Sequence, residues 1–99
     1  MGLSADAREL KVWIENDGNL HRQMTVPIFN NLRRKIAKGT FRKDLSVKAF
    51  RHLADRGTKN YQLENLSPPR RTGFFFSVSV RNEVARALAD DFAAEEGLR

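Results

Sequence analysis

The feature that most constrains this chain is a helical repeat of apolar residues in four separate segments, each followed by a glycine. Leu3, Ala7, Leu10, Trp13 and Ile14 share one stripe at helical spacing, and Gly18 follows. Ile28, Phe29, Leu32 and Ile36 form a second stripe before Gly39. Val47, Phe50, Leu53 and Ala54 form a third before Gly57. Val80, Val84, Leu88 and Phe92 run as an i, i+4 row broadened by Ala85 and Ala89, and Gly97 ends it. Glycine just past a periodic run is the usual helix stop, because it takes the left-handed conformation at no steric cost. The pattern predicts an all-α fold, a single domain of about four helices spanning residues 1–99.

Cap residues sharpen the boundaries. Ser4 predicts the start of the first helix, which ends at Asn16 or Asp17, with Val12 pointing away from the core. "NDGN" (16–19) reads as one helix stop followed by the next cap. For the second segment the preferred reading is a short turn or helical piece over 20–25. The main helix then starts with Thr25 near the cap and Pro27 in the first turn. The alternative is a longer helix capped by Asn19 and kinked by Pro27. Asp44 predicts the cap of the third helix, which runs to Arg56, and residues 58–65 could extend it. Ser77 or Ser79 opens the fourth, which runs to Glu96, with Arg86 and Asp90 spaced as a supporting ion pair.

The stretch between the last two helices is the least regular. Pro68-Pro69 cannot continue a helix. "FFFSVSV" (74–80) alternates like a strand, but no partner strand exists elsewhere, so its three Phe are expected to wedge into the core. "LRRKIAKGT" (32–40) and "FRHLADRGT" (50–58) echo each other, which reads as two helix stops with the same cap chemistry.

Chemistry-bearing motifs are sparse. With no Cys, disulfides, thiolate catalysis and the usual zinc sites are out of reach, and no cofactor or metal is expected. His21 and His52 are the only histidines. Asp55, three residues after His52, suggests a solvated pair. "ENDGN" lacks the acid spacing of a calcium loop. No nucleophile elbow or phosphate loop is present, and Asp90-Asp91 and Glu95-Glu96 lie on a solvated helix and its end. The expectation is a non-enzymatic protein. The chain shows neither a membrane-length apolar run nor a secretory leader. Asp6 stands where myristoylation needs Ser or Thr. A cytoplasmic setting follows as the expectation.

Charge is the remaining signal. The net charge of +6 is uneven: residues 21–43 carry seven basic residues and no acid, whereas 1–20 and 74–99 each balance to −2. Arg33, Arg34, Lys35, Lys38, Arg42 and Lys43 make the central basic helix and loop, and Arg70 and Arg71 add a pair beside the prolines. On a helical wheel Arg34 and Lys38 point directly away from the core, while Arg33 and Lys35 flank the stripe. If the loop before the third helix folds back, these groups make one continuous patch for DNA or RNA phosphates. The plainer account is that basic residues near a helix C-terminus meet its negative dipole end. A partner that is an acidic host or phage protein is the alternative function. The oligomeric state is not legible.

The run "ENDGNLHRQMTVPIFNNLRRKIAKGTF" (15–41) resembles small proteins encoded by tailed phages and prophages. In these an ENDG-x-L-x-RQ segment leads into T-x-PI-x-x-NL-x-RK-x-AKGT. "VKAFRHLADRGTKNY" (47–61) and "SVRNEVARALADDF" (79–92) are similar to their downstream parts. The resemblance implies a small helical accessory protein of a phage or mobile element, acting inside the bacterial cell. It carries over no activity and no site residue.

Overall fold

In the computed structural model, which describes residues 2–98, the chain folds as four helices with no strand among the described residues. The first helix, α1, spans Ala5–Asn16. Gly18–Leu20, His21–Thr25 and Val26–Lys38 follow one another without a break and together make α2, whose middle piece is a π-helical turn. Lys43–Asn65 is α3 and Val78–Glu95 is α4.

Local chemistry explains most boundaries. Ser4 Oγ accepts from the Ala7 N–H at 3.2 Å, opening α1 as its spacing predicts. Ser4 also donates from N and Oγ to the Glu83 carboxylate, at 2.7 and 2.9 Å, so the cap is pinned to α4. Asp17 closes α1 and starts α2 at once: its N–H reaches Ile14 O, and its carboxylate accepts from the Leu20 N–H at 3.1 Å. Of the two readings of this region, the longer helix is the one observed, with Asp17 rather than Asn19 as the cap. Thr25 is an interior residue and makes no cap bond. The π turn lies immediately before Pro27, which has no N–H to give and crowds the carbonyl four residues back; a widened turn accommodates both.

Gly39 has φ +74° and closes α2, with Thr40 N bonded to Lys35 O at 2.9 Å. Gly97, φ +73°, does the same for α4. Gly57 does not stop α3. The helix continues through it for eight more residues, because Ile14 and Leu20 press against the missing side chain. A Cβ there would lie 2.5 Å from Ile14 Cγ1. Its glycine marks a close helix contact, and the echo between 32–40 and 50–58 therefore joins two unlike devices. The start of α3 falls at Lys43, with Asp44 in its first turn. Ser77, not Ser79, caps α4 by accepting from Val80 N at 3.2 Å.

The core is the expected one. Ala7, Leu10 and Ile14 of α1 meet Phe50, Leu53 and Ala54 of α3 and Val84, Ala85, Ala89 and Phe92 of α4. Leu32 is the one fully buried residue of Val26–Lys38, with Ile28, Phe29 and Ile36 packed beside it. Phe29 sets its ring edge-on to Phe50 and Phe92, with centroids 5.9 and 5.1 Å away.

The connection 66–77 departs from expectation. Only Phe76 enters the core; Phe74 and Phe75 are 44% and 43% exposed. Gln62, buried in the last turns of α3, organises this segment. Its Nε2 donates to Arg71 O at 2.9 Å and Gly73 O at 3.2 Å, and its Oε1 accepts from Phe75 N at 2.8 Å. Held by those three bonds, the chain turns at Gly73 (φ +68°) and presents two of its three Phe outward.

Candidate functional site

The cations named by the sequence divide into four groups. Arg33 donates from Nε to Glu96 at 3.2 Å and lies 5.4 Å over the Phe29 ring, so it braces α2 against the end of α4. Arg42 pairs with Asp44 at 2.9 Å, and Lys43 with Asp90 at 2.7 Å. Both pairs are widely solvated, and ion pairs of that kind contribute about 0–1 kcal/mol. Asp90 thus pairs across helices with Lys43, where spacing suggested Arg86. Arg34, Lys35 and Lys38 have no carboxylate partner among the described residues, and Arg34 and Lys38 are exposed as their wheel positions predict.

Arg70 and Arg71 do not join this group. They sit past the far end of α3, a helix of 23 residues that at 1.5 Å per residue puts about 33 Å between its ends. Arg71 Nε is fixed on Leu66 O at 2.7 Å, and Arg70 lies 5.5 Å from the Phe75 centroid. One continuous patch over residues 33–43 and 70–71 is therefore excluded by the length of α3.

What periodicity did not flag lies along α3. Lys48, His52 and Arg56 recur every four residues on its exposed face, and Lys59 continues the row three residues later. Lys59 donates to Gly73 O and places its ammonium 4.4 Å from the Phe74 centroid. The row therefore leads from the α2–α3 connection to the two exposed Phe.

A charge network around the buried Arg81 supports that end. Arg81, only 5% exposed, donates from Nη1 to Asp55 Oδ1 at 2.7 Å and from Nε to Phe76 O at 3.0 Å, and it covers the Phe74 ring at 3.7 Å. Arg51 donates to the same Asp55 oxygen at 2.9 Å and to Asn82. Burial alone would raise the Asp55 carboxyl, but the hydrogen bonds and charges of Arg51 and Arg81 outweigh it and hold it below its ordinary value. Asp55 thus belongs to this network and not to a solvated pair with His52. On the opposite side, burial opposes the Lys11 charge, yet Glu15 at 2.9 Å and Asp91 at 3.0 Å raise its affinity for the proton above the ordinary value.

Most acids are occupied in this way. Glu9 accepts from Tyr61 Oη, which raises the phenol above its ordinary range, and burial adds to the effect. Glu15, Asp17, Asp44, Asp55, Glu83, Asp90, Asp91 and Glu96 all have partners within the fold. Asp91 and Glu95 are exposed, as expected, and with His21, Glu15, Thr25, Phe29, Phe50 and Leu53 they line a cavity of about 580 Å3. His21 is exposed there, and no serine lines the cavity.

No helix among the described residues is long and apolar enough to cross a membrane. The fold and its sites define a small all-α domain with acids turned to internal pairing and cations turned outward. Compared with protein-family models, with curated proteins and with solved structures, the chain matches none of them.

Proposed function

We propose that this is a small non-enzymatic accessory protein, of the kind that phages and mobile elements encode, which contacts nucleic-acid phosphates inside the bacterial cell. The observation that carries this reading is the unequal use of charge. Nine of the twelve acids have a partner within the fold, while Arg34, Lys35 and Lys38 on α2 and Lys48 and Arg56 on α3 have no acid partner among the described residues. Folding explains the Arg33–Glu96 contact, and Lys35 and Lys38 meet the negative end of α2; it gives Arg34, Lys48 and Arg56 no comparable use. Arg42 and Lys43 sit where the two basic helices meet, and a phosphate can displace their exposed acid partners at small cost. Contacts of this type position a polyanion without reading its bases.

The test is fluorescence anisotropy of a labelled oligonucleotide over a range of salt. Affinity should fall linearly in log–log form, by roughly 0.7–0.9 in slope for each phosphate neutralised. Replacing Arg34, Lys35 and Lys38 by Glu should flatten that slope by about 2–3. These three are preferable to Arg42 and Lys43, whose reversal would set like charges against Asp44 and Asp90. Absence of binding at low salt would overturn the proposal. A partner captured from bacterial lysate that survives nuclease treatment would point instead to an acidic protein.

A further inference from the structure

The geometry points to a second, distinct contact surface: we propose that Phe74 and Phe75 form a base-stacking platform at the end of the α3 cation row, so that the preferred ligand is single-stranded nucleic acid. This rests on the phosphate-binding reading above and adds to it the form of the strand.

Two exposed aromatic rings beside a Gly-containing turn are costly to leave in water, and the fold spends a buried side chain on keeping them there. Gln62 ties the backbone at Arg71, Gly73 and Phe75, and only Phe76 is drawn inward. Arg81, anchored by Asp55 and Phe76 O, holds Phe74 from the protein side at 3.7 Å. Tyr61 lies nearly parallel to Phe75, with centroids 5.9 Å apart and 17° between planes, and sets the orientation of that ring. Both rings are therefore fixed, while nearly half of each residue stays open. Fixed, partly exposed rings flanked by cations are what sequence-tolerant base stacking uses, the base lying on the exposed part of a ring or on a guanidinium.

The charges around the rings decide which ligand they suit. Lys59 stands over Phe74, Arg70 over Phe75, and Arg71 is adjacent in the turn. Behind them Arg56, His52 and Lys48 continue at one-turn intervals, a row of about 17 Å from Lys48 to Lys59 at 1.5 Å per residue. A linear row of basic side chains ending in two rings matches a chain that carries phosphates along its length and bases to its side. A duplex hides its bases within the stack. Leu63 and Val78 are also exposed, which raises a lipid surface as the competing ligand. Acyl chains would have to strip Lys59 and Arg70 from over the rings, whereas a base stacks on the Arg70 guanidinium and a neighbouring phosphate takes the Lys59 ammonium.

The experiment compares four probes by anisotropy or competition at one salt concentration. They are a short oligothymidylate, an abasic oligomer with the same number of phosphates, a duplex of equal length, and phosphatidylglycerol vesicles. The proteins are the parent chain, a Phe74→Ala/Phe75→Ala variant and a Phe74→Leu/Phe75→Leu variant, which keeps apolar bulk without a π face; melting curves establish that each is folded. The parent should bind oligothymidylate about ten- to a hundredfold more tightly than the abasic oligomer, and both variants should lose most of that margin while abasic binding is unchanged. Equal affinity for the thymidylate and abasic probes, or a Leu variant that keeps the margin, would overturn the platform and leave phosphate binding standing. Vesicle binding that depends on the two Phe and displaces the thymidylate would overturn it in favour of a lipid surface. No binding of any polyanion would overturn both proposals.

Discussion

At the scale of single residues, the most consequential group is the Asp55 carboxylate. It neutralises Arg81, a guanidinium with almost no access to water, and shares the same oxygen with Arg51. Removing one partner of a buried ion pair leaves an uncompensated charge, which costs far more than the pair itself contributes. Asp55→Asn should therefore destabilise the fold by about 1–3 kcal/mol in urea unfolding. Arg81→Met should cost less, since it removes the charge that needs compensation while filling similar volume. The pH dependence has a definite sign. Asp55 has a lower proton affinity folded than unfolded, so its stabilisation is complete above the ordinary carboxylate range and is lost as pH falls through the lowered value. The stability gap between parent and Asp55→Asn should accordingly shrink on acidification below about pH 4. A gap that is constant or widens would refute this role.

At the scale of elements, the same glycine symbol encodes opposite instructions, and that limits what a single sequence discloses. Gly39 and Gly97 adopt positive φ and end helices; Gly57 sits inside α3 because Ile14 occupies the space of a Cβ. Periodicity separates neither case, since close approach depends on a residue 43 positions away in the chain. The helix stripes, the Ser4 cap and the Gly39 stop were legible because each is decided within a few residues. The π turn before Pro27 was not, because a proline in an apolar run announces a disturbance without its form. In the same way, the outward Phe74 and Phe75 follow from Gln62, a polar residue that no hydrophobic pattern marks. Gly57→Ala distinguishes the two glycine roles. Helix propensity alone would gain up to about 1 kcal/mol, whereas the clash with Ile14 should turn this into a net loss of about 1–2 kcal/mol. An Ile14→Ala background should remove most of that loss, which a double-mutant cycle of denaturant midpoints measures. A stabilising Gly57→Ala in the parent chain would contradict the close contact.

At the scale of the whole molecule, the charge asymmetry of the sequence resolves into a division of labour. The acidic C-terminal segment folds onto the basic middle through Glu96–Arg33 and Asp90–Lys43, Lys11–Asp91 ties the two ends together, and the cations left over lie on outer faces. Net charge by segment was legible; which cations are spent was not, because ion pairs form between helices far apart in sequence. Stability is unevenly divided too. In α3 seven residues are buried, from Ser46 to Gln62, and in α4 five, from Arg81 to Phe92, whereas Val26–Lys38 buries only Leu32. Local opening follows buried contact, so this piece of α2 should open without unfolding the rest. Amide hydrogen exchange followed by NMR should show residues 50–58 and 84–92 protected to the level of global unfolding. Residues 28–38 should exchange by a separate opening of lower free energy, faster by at least about tenfold. An oligonucleotide bound across Arg34, Lys35 and Lys38 stabilises the closed form by mass action and should slow that opening selectively. Equal protection of α2 and α3 in the free protein would mean that α2 is as firmly anchored as the core, and its cations would then be carried by a rigid element.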